Sequence, residues 1–173
     1  MKKNWYAVYT KQHCELKVTA LLTRKKIENY CPLNRIGNYH GYRKKMAHEP
    51  LFPSFVFVLI SESEMPIIRQ VNDVINFIYW LGKPAVIKDA EIMHIQDFID
   101  SHPGIRLEKI AVNTNAMARK IKEPAIEAGE DVMTLKSINI KLLLPSLGYM
   151  LIGAGEKTNG IFDYNYEAAK MGS

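Results

Sequence analysis

The chain predicts an α+β fold, an antiparallel sheet carrying helices followed by a small all-β part. Three observations predict it. Over the first hundred residues, short apolar runs alternate with stretches of helical periodicity. Their order is strand, helix, strand, strand, helix, strand, with a short extra strand before a last helix, and a four-stranded antiparallel sheet with helices on one face satisfies it. Beyond residue 122, Gly129, Gly148, Gly153 and Gly155 punctuate apolar runs that fit a small β domain.

Each element has its own reason. Trp5 to Tyr9 is β-prone, with aromatic residues on both faces. Lys11 to Ile27 reads as a helix: Cys14, Val18, Leu21 and Leu22 form an apolar stripe, and His13, Lys17 and Arg24 share a different arc. Lys25 and Lys26 crowd its last turn, where cations suit the macrodipole. Asn29 starts an extended run through Leu33, and the polar stretch Gly37 to Glu49 reads as an exposed hairpin or loop. Phe55 to Ile60 is six residues unbroken by polarity, a central strand buried on both faces.

Ser61 and Glu64 have capping-box spacing and open a second helix reaching about Val71, and Pro66 moves its start later. Val74 to Leu81 reads as a strand, turned by Gly82-Lys83-Pro84 into Ala85-Val86-Ile87. Asp89 suits the N-cap of a third helix, with Ile92, Ile95 and Ile99 on one face and His102-Pro103-Gly104 ending it. Three segments follow: a domain over 1–104, a weakly patterned linker over 105–122, and a small domain over 123–173.

Composition narrows the function classes. Of 173 residues, 47% are hydrophobic and 24% charged, a globular balance that excludes wholesale disorder. The longest uncharged run, Leu142 to Gly155, is broken by Pro145 and falls short of the roughly 20 residues a spanning helix needs. The apolar stretch before Lys11 is too short for a secretory leader, and two cysteines suit a reducing compartment, so a cytoplasmic location is expected. Residues 1–50 hold 11 Lys/Arg against 3 Asp/Glu, whereas residues 51–173 hold 12 against 15. A basic excess confined to the first fifty residues suggests a polyanion partner, most simply nucleic acid.

Motifs for catalysis are missing. There is no phosphate-cradling glycine loop, no nucleophile elbow and no CxxC pair. Cys14 and Cys31 with His13 or His40 make a weaker zinc candidate than buried thiols do a structural one. His94, Asp97 and Asp100 lack a partner constellation. No enzyme, cofactor or metal is expected.

Three blocks stand together: Trp5-Tyr6-Ala7-Val8-Tyr9-Thr10-Lys11, Glu49-Pro50-Leu51-Phe52-Pro53-Ser54-Phe55-Val56-Phe57-Val58, and Gly82-Lys83-Pro84-Ala85-Val86-Ile87. In this order and spacing they resemble the N-terminal (NGN) domain of the NusG family of transcription elongation factors, over roughly residues 4–102. The closer likeness is to the specialised RfaH-like and UpxY-like antiterminators, which share the second block. The resemblance implies a bacterial, ferredoxin-like domain that docks an apolar patch on the clamp of RNA polymerase and suppresses pausing. The matching patch is Tyr9, Leu51, Phe52 and Phe55, with Trp80 or Leu81 at its rim. Prolines on either side stiffen the aromatics, and rigid aromatic anchors carry interface energy. Strand alternation puts Phe52 and Phe55 on opposite faces unless Pro53 bends the chain.

The resemblance also implies contact with the non-template DNA strand through Lys11, Arg24 and Lys25. His13 and Lys17 extend that basic surface, and Arg43, Lys44 and Lys45 stand at the tip of a variable hairpin that reaches toward duplex DNA. Glu49 takes the place of a glutamate that latches the two domains together in one relative. Two departures stand out. Val71-Asn72-Asp73-Val74 replaces an arginine-glycine step, and Glu62 to Ile67 replaces a threonine-rich element.

The second part resembles a KOW, SH3-like β-barrel at Gly129 to Val132 and Leu142 to Tyr149, without the glycine-bearing turn between them. Rho or a ribosomal protein are the partners the resemblance implies for such a module. The competing reading is a stand-alone RNA- or DNA-binding module on a ferredoxin-like sheet, with Tyr6, Tyr9, Phe55 and Phe57 as base-stacking aromatics.

Overall fold

The computed structural model describes residues 2–40, 43–113, 116–128 and 133–154, and the backbone alone at 37–40, 43–46, 123–128 and 133–138. Its strands are β1 (Asn4–Thr10), β2 (Glu28–Tyr30), β3 (Leu33–His40), β4 (Arg43–Pro50), β5 (Phe55–Ile60), β6 (Val74–Phe77), β7 (Tyr79–Trp80), β8 (Lys83–Pro84), β9 (Val86–Ile87), β10 (Arg106–Lys109), β11 (Arg119–Ala128), β12 (Met133–Leu144) and β13 (Tyr149–Ala154). The helices are α1 (Glu15–Arg24), α2 (Met65–Arg69) and α3 (Asp89–Ser101).

The first sheet runs β2-β5-β1-β6, and β9 shares the β6 side of β1. β5 is its hydrophobic centre and pairs antiparallel with β1 from Asn4↔Ile60 to Tyr9↔Phe55. Alternation then sorts the side chains. Tyr6, Val8, Val56, Val58 and Ile60 pack with Val18 and Leu22 of α1 and Met65 and Ile68 of α2. Ala7, Phe57 and Ile87 face the other way, against Ile92, Ile95, Phe98 and Ile99 of α3. The helices are therefore split between two faces. α3 turns to the second face because its isoleucine stripe is shared with Leu142, Leu144 and Leu151 of a second sheet.

That second sheet is antiparallel with order β10-β13-β12-β11. β12 runs twelve residues without a break. Pro124 sits on the edge strand β11, where a missing ladder donor is tolerated. Among the described residues β10 and β11 do not pair, so no closed barrel is present. Residues 106–109 and 119–122, expected within a linker, are strands of this sheet. Their junction with the separate two-stranded β3–β4 sheet is held by Asn34, which is buried, its Nδ2 donating to the Ile105 carbonyl at 2.7 Å and its Oδ1 accepting from the Ile105 amide at 3.0 Å. The expectations for the stretch after Gly155 lie outside the described residues.

Several element limits move for local reasons. α1 begins at Glu15 rather than Lys11 because His13 takes a positive φ of 62°. It ends in a Schellman arrangement, with Lys26 at φ 58° and Ile27 N–H on the Leu22 carbonyl. The Ser61 amide donates to the Glu64 carboxylate at 2.8 Å, a 3₁₀ turn follows, and Pro66 sits in the first turn of α2. The strand expected over 74–81 stops at Phe77. Leu81 and Gly82, both at positive φ, fold β7 back on β8 as a separate hairpin.

Candidate functional site

The chain reverses between β4 and β5 at Leu51-Phe52-Pro53-Ser54. Ser54 adopts φ 64°, a left-handed conformation uncommon for a residue with a Cβ. It is held there by two bonds: its carbonyl accepts from Thr10 N–H at 2.8 Å, and its amide donates to Glu15 Oε1 at 2.6 Å. Glu15 is itself 4% exposed, a carboxylate at the start of α1 reaching across to this turn. The bend overrides strand alternation and brings Phe52 and Phe55 to the same face.

An aromatic row results. The Tyr9 ring lies 5.4 Å from Phe55, Phe52 stands edge-on to Phe57 at 5.5 Å, and Tyr30 stacks on Phe57 at 6.4 Å. Tyr149, from the second sheet, meets Phe52 at 5.5 Å and Phe55 at 6.3 Å, both edge-on. Burial holds the Tyr149 phenol above its ordinary range. A small cavity of about 70 Å³ remains where the sheets meet, lined among others by Phe55, Ile78, Trp80, Val112, Leu147 and Tyr149.

The predicted patch is divided by this arrangement. Tyr9 is 42% exposed, Trp80 40% and Leu81 88%, the last two on the β7–β8 hairpin. Leu51 and Phe52 are buried and Phe55 is half-buried, because the second sheet lies over them. Tyr149 was not among the expected site residues. Its sequence signal was only that of a late strand.

On the opposite face of the sheet from the row, Lys17 and Arg24 of α1, Lys11 and His13 just before it and Lys25 just after it are exposed to solvent. Lys11 Nζ lies 3.2 Å from Asp73 Oδ1 and Lys17 Nζ 2.7 Å from Asp73 Oδ2. The hydrogen bond between Lys17 and Asp73 raises the lysine's pKa and lowers that of the carboxyl. The side chains of Arg43, Lys44 and Lys45 lie outside the described residues. Glu49 is exposed on β4 opposite Asn34, and among the described residues no side-chain hydrogen bond or ion pair joins it to another.

Cys14 and Cys31 are free thiols, and burial pushes Cys31 up to about 11. Among the described residues no group of three or more His, Cys, Asp or Glu is placed to hold a metal ion. No described helix is long and apolar enough to cross a membrane.

An aromatic row running from an exposed end under a cover, with a basic helix on the opposite face of the same sheet, is the geometry of a binding module. The model of the NusG family, "Transcription termination factor nusG", matches residues 3–96, more than half of the chain, and the chain belongs to that family. It is thereby one of a class of transcription factors that bind RNA polymerase. A solved structure described as "Domain interaction in Thermotoga maritima NusG" aligns with TM-score 0.50 at 19% identity, covering 90% of this chain and 94% of that one. At that identity the likeness speaks for the fold. No curated relative matches the sequence.

Proposed function

We propose that the protein is a non-enzymatic elongation and antitermination factor of the specialised, RfaH-like kind. It docks on the clamp of RNA polymerase through Tyr9, Leu51, Phe52 and Phe55, with Trp80 and Leu81 at the rim, and suppresses pausing. The observation that carries this reading is the Ser54 bend, which gathers Phe52, Phe55 and Tyr9 on one face. In the arrangement described, the second sheet covers the middle of that surface through Tyr149. The cover has to move for polymerase to reach Phe52. The second sheet is read as a shortened KOW-like module, and His13, Arg24 and Lys25 as the residues that face the non-template strand.

The stand-alone base-stacking reading needs Tyr6, Tyr9, Phe55 and Phe57 on one open face. Tyr6 is 2% and Phe57 1% exposed, and they point to opposite faces of the sheet. That burial favours the polymerase reading.

Binding to purified bacterial elongation complexes tests it, with Tyr9→Ala and Phe55→Ala beside the unmodified chain and naked DNA as control. Loss of roughly tenfold or more in affinity for the complex is expected from folded variants, since central aromatic anchors carry about 2 kcal/mol or more each. Unchanged binding in both variants, or equal binding to naked DNA, removes the docking role.

A further inference from the structure

Lys11 and Lys17 place their ammonium groups on the two oxygens of one carboxylate, at 3.2 and 2.7 Å. Asp73 is held for this contact. Its backbone takes φ 68°, its carbonyl accepts from Lys11 N–H at 2.9 Å, and the next residue, Val74, pairs with Thr10 beside a bulge in β6. The lysine side chains are 66% and 64% exposed, whereas that of Asp73 is 14% exposed. Ion pairs this open to water add little to stability. Two accessible ammonium groups sharing two anionic oxygens are also what a phosphodiester, with its two non-bridging oxygens, would find without Asp73.

We propose that Asp73 is a built-in anion that occupies the phosphate-binding position between Lys11 and Lys17. It sets the specificity of the α1 face by keeping those two lysines off nucleic-acid backbone in general. With Asp73 in place, binding falls to His13, Arg24 and Lys25, a weaker set that needs a strand presented to it. This deepens the reading that the α1 face meets nucleic acid.

The test is the affinity of Asp73→Asn for a short single-stranded DNA oligonucleotide and its RNA counterpart, measured over a range of salt. Asparagine keeps the left-handed backbone. Release of the lysines steepens the log–log salt slope by about 0.7 for the one charge gained and by up to about 1.4 where both make new phosphate contacts, at about 0.7 per phosphate on single strands. Over a fourfold salt range that slope is a factor of about 3 to 7, so a gain of roughly tenfold at about 50 mM shrinks to about fourfold or less at 200 mM. The gain should vanish when Lys11→Gln and Lys17→Gln are added.

In the unmodified chain Lys11→Gln alone leaves one lysine to one carboxylate and should lower oligonucleotide affinity by no more than about threefold, because Asp73 already offsets one of the two lysine charges. This arm does not depend on Asp73→Asn folding. An unaltered slope in Asp73→Asn, a gain that survives loss of the lysines, or a loss well beyond threefold from Lys11→Gln in the unmodified chain each overturns the proposal. A gain on DNA alone or RNA alone overturns it too, since the backbone is common to both. Failure of the polymerase reading shows separately, as absent binding of the unmodified chain to elongation complexes.

Discussion

Replacing Tyr149 with alanine separates a cover from the surface it covers. Tyr149 sits on β13 and touches Phe52 and Phe55 edge-on, at 5.5 and 6.3 Å. Truncating a fully buried aromatic costs roughly 3–5 kcal/mol. Tyr149 is half-buried, so about half of that, roughly 2 kcal/mol, is expected, and two ring pairs at about 0.5–1.5 kcal/mol each account for most of it. The loss falls on the contact between the sheets, because the β1–β5 ladder and the α1 side of the core do not involve Tyr149. About 2 kcal/mol moves the closed arrangement toward the open one by about thirtyfold. Titration on stalled bacterial elongation complexes should then show affinity rising by up to that factor, with faster hydrogen exchange around Leu51 to Phe55. A fall in affinity matching that of Phe52→Ala would refute the reasoning, since it would make Tyr149 part of the docking surface.

Two further outcomes are expected. Glu91, 1% exposed on α3, has its Oε1 accepting from Ser146 N–H at a long 3.4 Å, while its Oε2 and the Ser146 hydroxyl have no partner among the described residues. Glu91→Met should raise the urea midpoint, by roughly 1–2 kcal/mol of stability, and weaken polymerase binding by tightening the cover. A lower midpoint would show the carboxylate to be an asset. The second outcome concerns alkaline pH. Burial raises Tyr30 from 10.0 to about 12 and Cys31 from 9.0 to about 11. Both groups are neutral in both states below about pH 8; above it the unfolded chain ionises first, Cys31 before Tyr30, so stability falls as pH rises toward 12. Urea midpoints across that window should drop, and Tyr30→Phe should remove the upper part of the drop. A flat profile would contradict the assignment.

Local signals carry most of the first hundred residues. The unbroken apolar run over 55–60 became the central strand, Ser61 and Glu64 paired as their spacing implied, and the isoleucine stripe of α3 is buried. The site was legible in composition and not in arrangement. Whether Phe52 and Phe55 share a face depends on one left-handed serine and on Glu15 reaching it from 39 residues away. Neither leaves a pattern in sequence. Asp73 is legible in the sequence only as part of the stretch that replaces an arginine-glycine step, and its effect depends on the two lysines meeting its two oxygens. The limits of the second sheet were missed because β10 is four residues long and gains its pairing from β13, some forty residues on.

The Asn34 clasp decides how far a moving cover can travel. Asn34 grips both backbone groups of Ile105, and β10 begins at the very next residue. There is no slack between anchor and sheet. The second sheet therefore has two ways to leave. It swings about Ile105 as a hinge, or it peels away from β10 and gives up the four-residue ladder from Arg106↔Ile152 to Lys109↔Tyr149. Either way it stays leashed to its seat at an effective concentration on the millimolar scale. A partner that opens it competes with a lid that never diffuses away, so reclosure follows release of the partner without any search.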